Sequence, residues 1–587
     1  MEELYLEVFC EPQEGGLTLV SLETAITLFL VKYCNEHVVH LILVVKPHKI
    51  PSFKVKLLGL NYELLHSEND APKAVRSCLL PVILMGEDIT CVAGLCAVLR
   101  QVIKSILGHK PGHWSQSLLG FRQGCLMACA ESSVWTRFCE VDIIKTVNEL
   151  VLSDIPTNEV SVPEDVARFE IHMAQPIRVH NVYKNKPEHS TSKNGFQGNS
   201  VDNSCGKDIL FGHCYAEGWT ITLADIILLP CFHIILESLK SVYLQQYLPL
   251  TVKWYKQLLM QDGLEDALSI IREISPKIVD DLYVVYKLAD VPKQSLYKSD
   301  PKRYKPKNRI FTRQEDIDAS LQVVAELGLT YESHSLPFGS DVQFDWHSLP
   351  YDAQPEGGHL PPSRRERKSQ QLENLAKAVL KVARPGHTVV DFCSGSGHLG
   401  IVLAHLLPRC EVVLLENKEE SLTRARHRVQ KLKLSNVSFY QCNLDYFTGK
   451  FNIGTSLHAC GVATDLVIKR CIQQRAVFVS CPCCYGSVEN NHIITYPRSQ
   501  HFRNSSMTLR EYLVLGHSAD QTHDANNVKT DQGKKCMGII DKDRCLQASE
   551  AGYIVSLAKL IPESCTPKNN LLVGIPKEWY EPSEQYL

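Results

Sequence analysis

From Thr388 to Glu416 the chain sets short apolar runs between glycine and polar breaks. Thr388-Val389-Val390 is brief, β-branched and ends on Asp391, a pattern that predicts a parallel strand buried on both faces. Gly395-Ser396-Gly397 then predicts a loop, and Leu399, Ile401, Val402 and Leu403 suit a buried helix. A second strand, Glu411 to Leu415, closes on Glu416. This alternation predicts a Rossmann-like, doubly wound α/β sheet. Val437 to Tyr440, Phe451 to Ser456 and Ala476 to Ser480 supply its third, fourth and fifth strands. Nearer the N-terminus, Leu4 to Phe9 predicts a strand, Leu17 to Tyr33 a helix and Val38 to Val45 a strand. The domains expected are therefore an α/β unit over 1–105, a helical domain over 106–289, a basic linker over 290–350 and the larger α/β domain over 351–587. Polar stretches near 184–207 and 517–534 predict surface insertions.

Composition narrows this picture. A chain of 587 residues can hold several cores. Its net charge of -3 excludes a global attraction to nucleic acid, so any such contact must be local. No apolar run reaches the roughly 18 residues that cross a bilayer. The acidic start MEELYLEVFC is unlike a targeting peptide. The 22 cysteines, scattered through apolar segments, suit a reducing compartment, and a cytoplasmic location is expected.

Gly395, Gly397 and Gly400 satisfy G-x-G-x-x-G, a weak signal alone. Asp391, four residues before Gly395, sharpens it to D-F-C-S-G-S-G. A carboxylate there would repel a dinucleotide's pyrophosphate but suits the cationic amino end of S-adenosylmethionine. Glu416 would accept the ribose hydroxyls. The pattern resembles the cofactor signature of class I S-adenosylmethionine-dependent methyltransferases. That resemblance implies cofactor contacts from Asp391, Gly395, Ser396, Gly397, His398 and Glu416, with Asn443 against the adenine amino group. A dinucleotide, or glycines that serve packing alone, remain the alternatives.

The remaining chemistry lies in two motifs, Leu457-His458-Ala459-Cys460-Gly461-Val462-Ala463-Thr464-Asp465 and Cys481-Pro482-Cys483-Cys484-Tyr485-Gly486. Both fall where strands four and five end, so His458, Cys460, Asp465, Cys483 and Tyr485 are the candidate catalytic residues. His458 is the candidate general base. Asp465 would cap the next helix or steady His458. Cys481, Cys483 and Cys484 are too close for a C-x2-C zinc knuckle, no second pair follows, and no metal site is expected. H-x-C-G-x-A-T-D-L followed by C-C-Y resembles a family that includes tRNA ribose methyltransferases of the Trm-thirteen type. The likeness runs over roughly 365–575 and takes in Lys535-Cys536-Met537-Gly538 and Asp541-Lys542-Asp543-Arg544. That family's zinc-binding N-terminal part is not visible in this sequence.

The first half carries another likeness. Thr222-Leu223-Ala224-Asp225 predicts a capped helix, and Tyr247-Leu248-Pro249 and Trp254-Tyr255 follow it. T-x-A-D, Y-x-P and W-Y in that order resemble the all-helical C-terminal half of glutathione transferases. Pro81 would be the cis proline of a degenerate thioredoxin-like half. The resemblance also implies a thiol-activating residue after the first strand, where Cys10 is the candidate, and a glutathione-gripping serine near Val92. Valine cannot do that work, so a non-catalytic docking module for a protein partner is expected. Between Lys293 and Arg313 eight Lys or Arg face one acid, with Tyr297 and Tyr304 interleaved. A second basic knot runs from Arg364 to Lys368. Both could contact RNA. An S-adenosylmethionine-dependent RNA methyltransferase is the expectation; an interaction protein with an inactive methyltransferase fold stays open.

Overall fold

The computed structural model describes residues 2–13, 15–86, 90–154, 159–177, 212–240, 244–274, 276–277, 285–297, 313–328, 334–358, 360–522 and 529–579. The expected insertion at 184–207 and most of the basic run, 298–312, lie outside the described residues. The chain divides into two compact units.

In unit 1, strand Glu2–Val8 pairs in parallel with Val39–Val45 and antiparallel with Val82–Met85. The Leu80-Pro81 peptide is cis. The helix expected from Leu17 begins later: Leu17–Val20 is a strand paired with Phe53–Lys56, and the helix is Leu22–Cys34. The alternating half-burial of Leu17–Val20 satisfies a sheet, and Ser21 then caps the helix by accepting the Thr24 N–H.

Thr222 caps helix Leu223–Ser238 in a reciprocal box with Asp225. Asp225 does more than cap. Its buried carboxylate also accepts from Ala216 N–H and from Trp254 Nε1, both at 2.8 Å. The T-x-A-D and W-Y motifs are thus two ends of one clamp. Pro249 opens the helix that carries Trp254. Tyr297, expected to stack on bases, packs against Trp135 and His172 and donates to the Ala216 carbonyl.

Unit 2 holds the larger sheet, whose elements are numbered here from its first helix: α1 Pro362–Val382, β1 Thr388–Phe392, α2 His398–Leu406, β2 Glu411–Glu416, α3 Glu419–Leu432, β3 Val437–Gln441, β4 Ile453–Cys460, α4 Val462–Gln474, β5 Val477–Cys483, α5 Leu509–Ala519, α6 Thr530–Glu550, β6 Tyr553–Lys559 and β7 Asn570–Pro576. The strand order is 3-2-1-4-5-7-6. Strands 1 to 5 are parallel, and β7 runs antiparallel to both β5 and β6. β5 is buried at every residue, as an inner strand covered on both faces must be. The order reverses between β1 and β4, which opens a crevice at their C-terminal ends.

Three sequence expectations change. Residues 76–79 and 86–93, placed within the first domain, group with unit 2, because Thr90–Ala93 extends its sheet in parallel beside β3. The linker 290–350 is partly structured, with a helix at Gln314–Glu326. The polar stretch 517–534 is helical at both ends: residues 517–519 close α5 and residues 530–534 open α6, where Thr530 and Gly533 are buried. Residues 523–528 between them lie outside the described residues.

Candidate active site

The crevice is a cavity of about 490 Å³ in unit 2. One wall runs from the end of β1 through the following loop to the start of α2, with Asp391, Cys393, Ser394, Gly395, Ser396 and His398. The opposite side is Leu457 and His458 at the end of β4. Helix α1 lies over both and contributes Arg364, Arg367, Lys368 and Gln371. Strand ends and glycine loop meet there because a parallel sheet directs all its C-terminal ends to one edge.

Each glycine has its own task. Gly397 and Gly395 have φ of +72° and +57°, which admit side chains poorly. A Cβ on Gly397 would meet Ala425 and Leu414 at 3.0 Å, and one on Gly400 would meet Leu414 at 2.1 Å. Those two serve close packing of α2 on the sheet. A Cβ on Gly395 would meet nothing within 4 Å. Its loop therefore leaves an open cradle.

Both acids flank that cradle. Asp391 accepts the Gly400 N–H at 2.9 Å. Burial pushes its carboxyl up to about 7, although the Gly400 N–H and the charge of Lys368 pull the other way. Glu416 accepts the Gly395 N–H at 2.8 Å and the Lys418 N–H at 3.0 Å. His398 lines the cavity, but its Nδ1 meets Arg428, and burial with that guanidinium lowers it to about 3. Arg428, missed in the sequence, donates to the Ser396 carbonyl and to the carbonyls of Asp352, Ala353 and Gln354. It fixes the glycine loop, and only its place on the inner face of α3 could have signalled it. Asn443 follows β3 and is not among the residues lining the cavity.

A bulge interrupts the β4–β5 ladder between Leu457 and Cys460. Bulges re-aim side chains, and His458 there has a φ of +68°, uncommon for a residue other than glycine. Its Nε2 lies 2.9 Å from Gln371 Oε1, while the Gln371 amide nitrogen donates to the Cys565 carbonyl. That chain orients the amide, so Nε2 carries the proton and Nδ1 keeps a lone pair. Burial, with Lys368 adding to it, lowers the imidazole to about 4.

The candidate catalytic set divides. Cys460, Cys483 and Cys484 come together, with sulfurs 3.2 Å and 3.3 Å from Cys460. Hydrogen bonding with Cys460 and Cys483 holds the Cys484 thiol well below the usual range. Asp465 and Tyr485 leave the mouth altogether. Asp465 neither caps α4 through its side chain nor touches His458. It is fully buried, paired with Arg544 at 2.7 Å and 3.0 Å, and accepts from Tyr496 at 2.6 Å. Tyr485 is fully buried and donates to Asp541. Buried acids need such partners, and Arg544 and Asp541 come from α6, far along the chain.

A Rossmann-like sheet with an acid-flanked glycine loop defines a methyltransferase domain, and a methyltransferase-domain family model matches residues 367–491. The full chain is 40% identical over 604 residues to the glutathione S-transferase C-terminal domain-containing protein homolog of Drosophila pseudoobscura pseudoobscura, covering 98% of this chain and 99% of that one. It is 34% identical over 640 residues to the human glutathione S-transferase C-terminal domain-containing protein, with 98% of each covered. The chain belongs to the glutathione S-transferase C-terminal domain-containing protein family. Over 227 residues it is also 25% identical to the tRNA:m(4)X modification enzyme TRM13 of Schizosaccharomyces pombe, covering 32% of this chain and 61% of the relative. No helix among the described residues is long and apolar enough to cross a membrane.

Proposed function

We propose that unit 2 transfers a methyl group from S-adenosylmethionine to RNA, and that unit 1 is a docking module without glutathione transferase activity. The observation that carries the RNA reading is the placement of Arg364, Arg367 and Lys368, on α1, around the cavity that holds the glycine loop and His458. Cations at that mouth suit a phosphate-bearing acceptor.

The residues fit the cofactor. Asp391 would face its amino group, the Gly395 cradle would admit its backbone-hugging portion, and Glu416 would exchange its Gly395 bond for the ribose hydroxyls. Bound there, S-adenosylmethionine would supply an electrophilic methyl group. His458 would accept a hydrogen bond from the RNA acceptor at Nδ1 and align it, with Gln371 holding the ring. Asn443 remains a candidate for the adenine edge. A second reading, an interaction protein with an idle fold, is favoured by one feature: both Glu416 oxygens already accept backbone N–H groups.

Purified protein incubated with labelled S-adenosylmethionine and cellular RNA is expected to label RNA. His458→Ala should lower the rate about a hundredfold, the lower range for a lost proton-transfer group, without weakening cofactor binding. Label entering protein only would reject RNA as the acceptor; no label with bound cofactor would support the interaction reading.

No glutathione conjugation of a standard electrophile is expected. Val92 is fully buried in a strand beside β3 of unit 2, and in unit 1 Cys10 contacts Thr18 through its thiol and its carbonyl. Turnover that vanishes in Cys10→Ser would overturn this.

A further inference from the structure

The three sulfurs of Cys460, Cys483 and Cys484 all lie within 4.8 Å of one another. No role in holding a cofactor or in the contacts proposed above accounts for them. The fold makes the cluster deliberately tight. Cys460 ends β4, Cys483 ends β5, and the two are register partners across the ladder. Cys484 follows at a φ of +51°, which returns its side chain toward the pair. Gly461 N–H bonds to the Cys483 carbonyl at 3.2 Å. A Cβ on Gly461 would lie 2.5 Å from the Ser487 carbonyl oxygen, so the two loops are pressed together.

We propose that Cys460, Cys483 and Cys484 form a zinc site with three thiolate ligands and an open fourth position. Zinc favours thiolates at about 2.3 Å, and a tetrahedral arrangement separates such sulfurs by roughly 3.8 Å. The observed 3.2 Å and 3.3 Å need an outward movement of only a few tenths of an ångström. Zinc entering would displace the thiol protons to solvent and leave a site with one net negative charge. Lys568 is placed to offset it. This buried lysine, held by Thr522 Oγ1 at 2.8 Å and paired with Asp520 at 3.2 Å, acts electrostatically on both Cys483 and Cys484. Cys460 is exposed and Cys484 half-buried, so the fourth position faces solvent. Three protein ligands with an open position are the pattern of zinc that binds water or a substrate atom rather than zinc that only braces a fold. His458, two residues before Cys460, is not part of the sulfur group.

The sequence alone sets zinc aside, because Cys481, Cys483 and Cys484 are too close for a C-x2-C knuckle and no second pair follows. The third ligand comes from β4, 24 residues before Cys484, and only strand pairing brings it there.

The test uses the intact chain, reduced, stripped with chelator and titrated with zinc chloride against a chromophoric zinc indicator. One equivalent is expected to bind. In the same protein, zinc should slow iodoacetamide alkylation of Cys460, Cys483 and Cys484 at least tenfold. The exposed Cys214 should be unaffected. Cobalt in place of zinc should give a thiolate-to-metal charge-transfer band that Cys460→Ser/Cys484→Ser lacks. The alkylation readout needs no variant, so a misfolded variant does not blunt the test. Unchanged alkylation of the three cysteines with zinc present would overturn the proposal. So would equal metal uptake by the double variant, or a Cys460–Cys483 disulfide in zinc-treated protein. None of these readouts depends on S-adenosylmethionine or RNA.

Discussion

Arg544→Met is expected to destabilise unit 2 by about 3–5 kcal/mol, the cost of stranding buried charges by removing their partner. Arg544 is 1% exposed and binds Asp465 through two nitrogens and Asp541 through a third. Asp541 also accepts from Tyr485 and Asn570, and Asp465 from Tyr496. The network therefore ties the start of α4, the turn after β5, α6 and β7. Burial alone would raise the Asp465 carboxyl, but the charge and hydrogen bonds of Arg544 outweigh it and the net shift is down. A carboxyl lowered on folding stabilises above its unfolded value, near 4, and loses that contribution as pH falls through the folded value. The variant lacks the pull, so its deficit should be largest near neutral pH and shrink in acid. Urea unfolding, with hydrogen exchange resolving the amides of β5 and α6, measures this. A deficit below about 1 kcal/mol at pH 7, or one that grows in acid, would show the network to be incidental.

That network also marks where a single sequence stops being informative. Thr388–Val390 and Glu411–Leu415 were readable because a strand buried on both faces writes its burial into its own residues. Asp465 and Tyr485 were misread because their partners come from α6; Asp465 and Arg544 are 79 residues apart. A local motif displays the acid and conceals the cation. Thr90–Ala93 read as part of the first α/β unit for the same reason, since nothing within it names β3 as its neighbour. The polar stretch 517–534 misled differently: its composition is mainly polar, yet its ends belong to α5 and α6, where Ser518, Ala519, Thr530 and Gly533 are buried. At the cavity, the glycine pattern located the loop but could not apportion its glycines. Only the space around each one separates Gly395 from Gly397 and Gly400.

That separation gives the largest expected effect on ligand binding. Gly395→Arg should abolish S-adenosylmethionine binding, lowering affinity at least a hundredfold, while the melting temperature changes little. A Cβ at this position meets nothing within 4 Å, so the long side chain is free to enter the cavity and fill the cradle. The φ of +57° adds a strain of order 1 kcal/mol, small against the stability of a domain. Gly400→Ala should behave in the opposite way. Its new methyl would press on Leu414 at 2.1 Å and crowd Asp391 Oδ2 at 3.2 Å, an overpacking cost of about 1–3 kcal/mol that lowers the melting temperature. Glu416→Ala should fall between them, losing about 1–3 kcal/mol of binding with the fold intact, because its carboxylate is replaced by nothing that can accept a hydroxyl. Calorimetric titration of each full-length variant with S-adenosylmethionine, beside its thermal melt, resolves the three. Wild-type protein that releases no heat and gains no thermal stability at saturating cofactor would reject the cofactor site. Gly395→Arg protein that binds as the wild type does would place the cofactor somewhere other than the glycine loop.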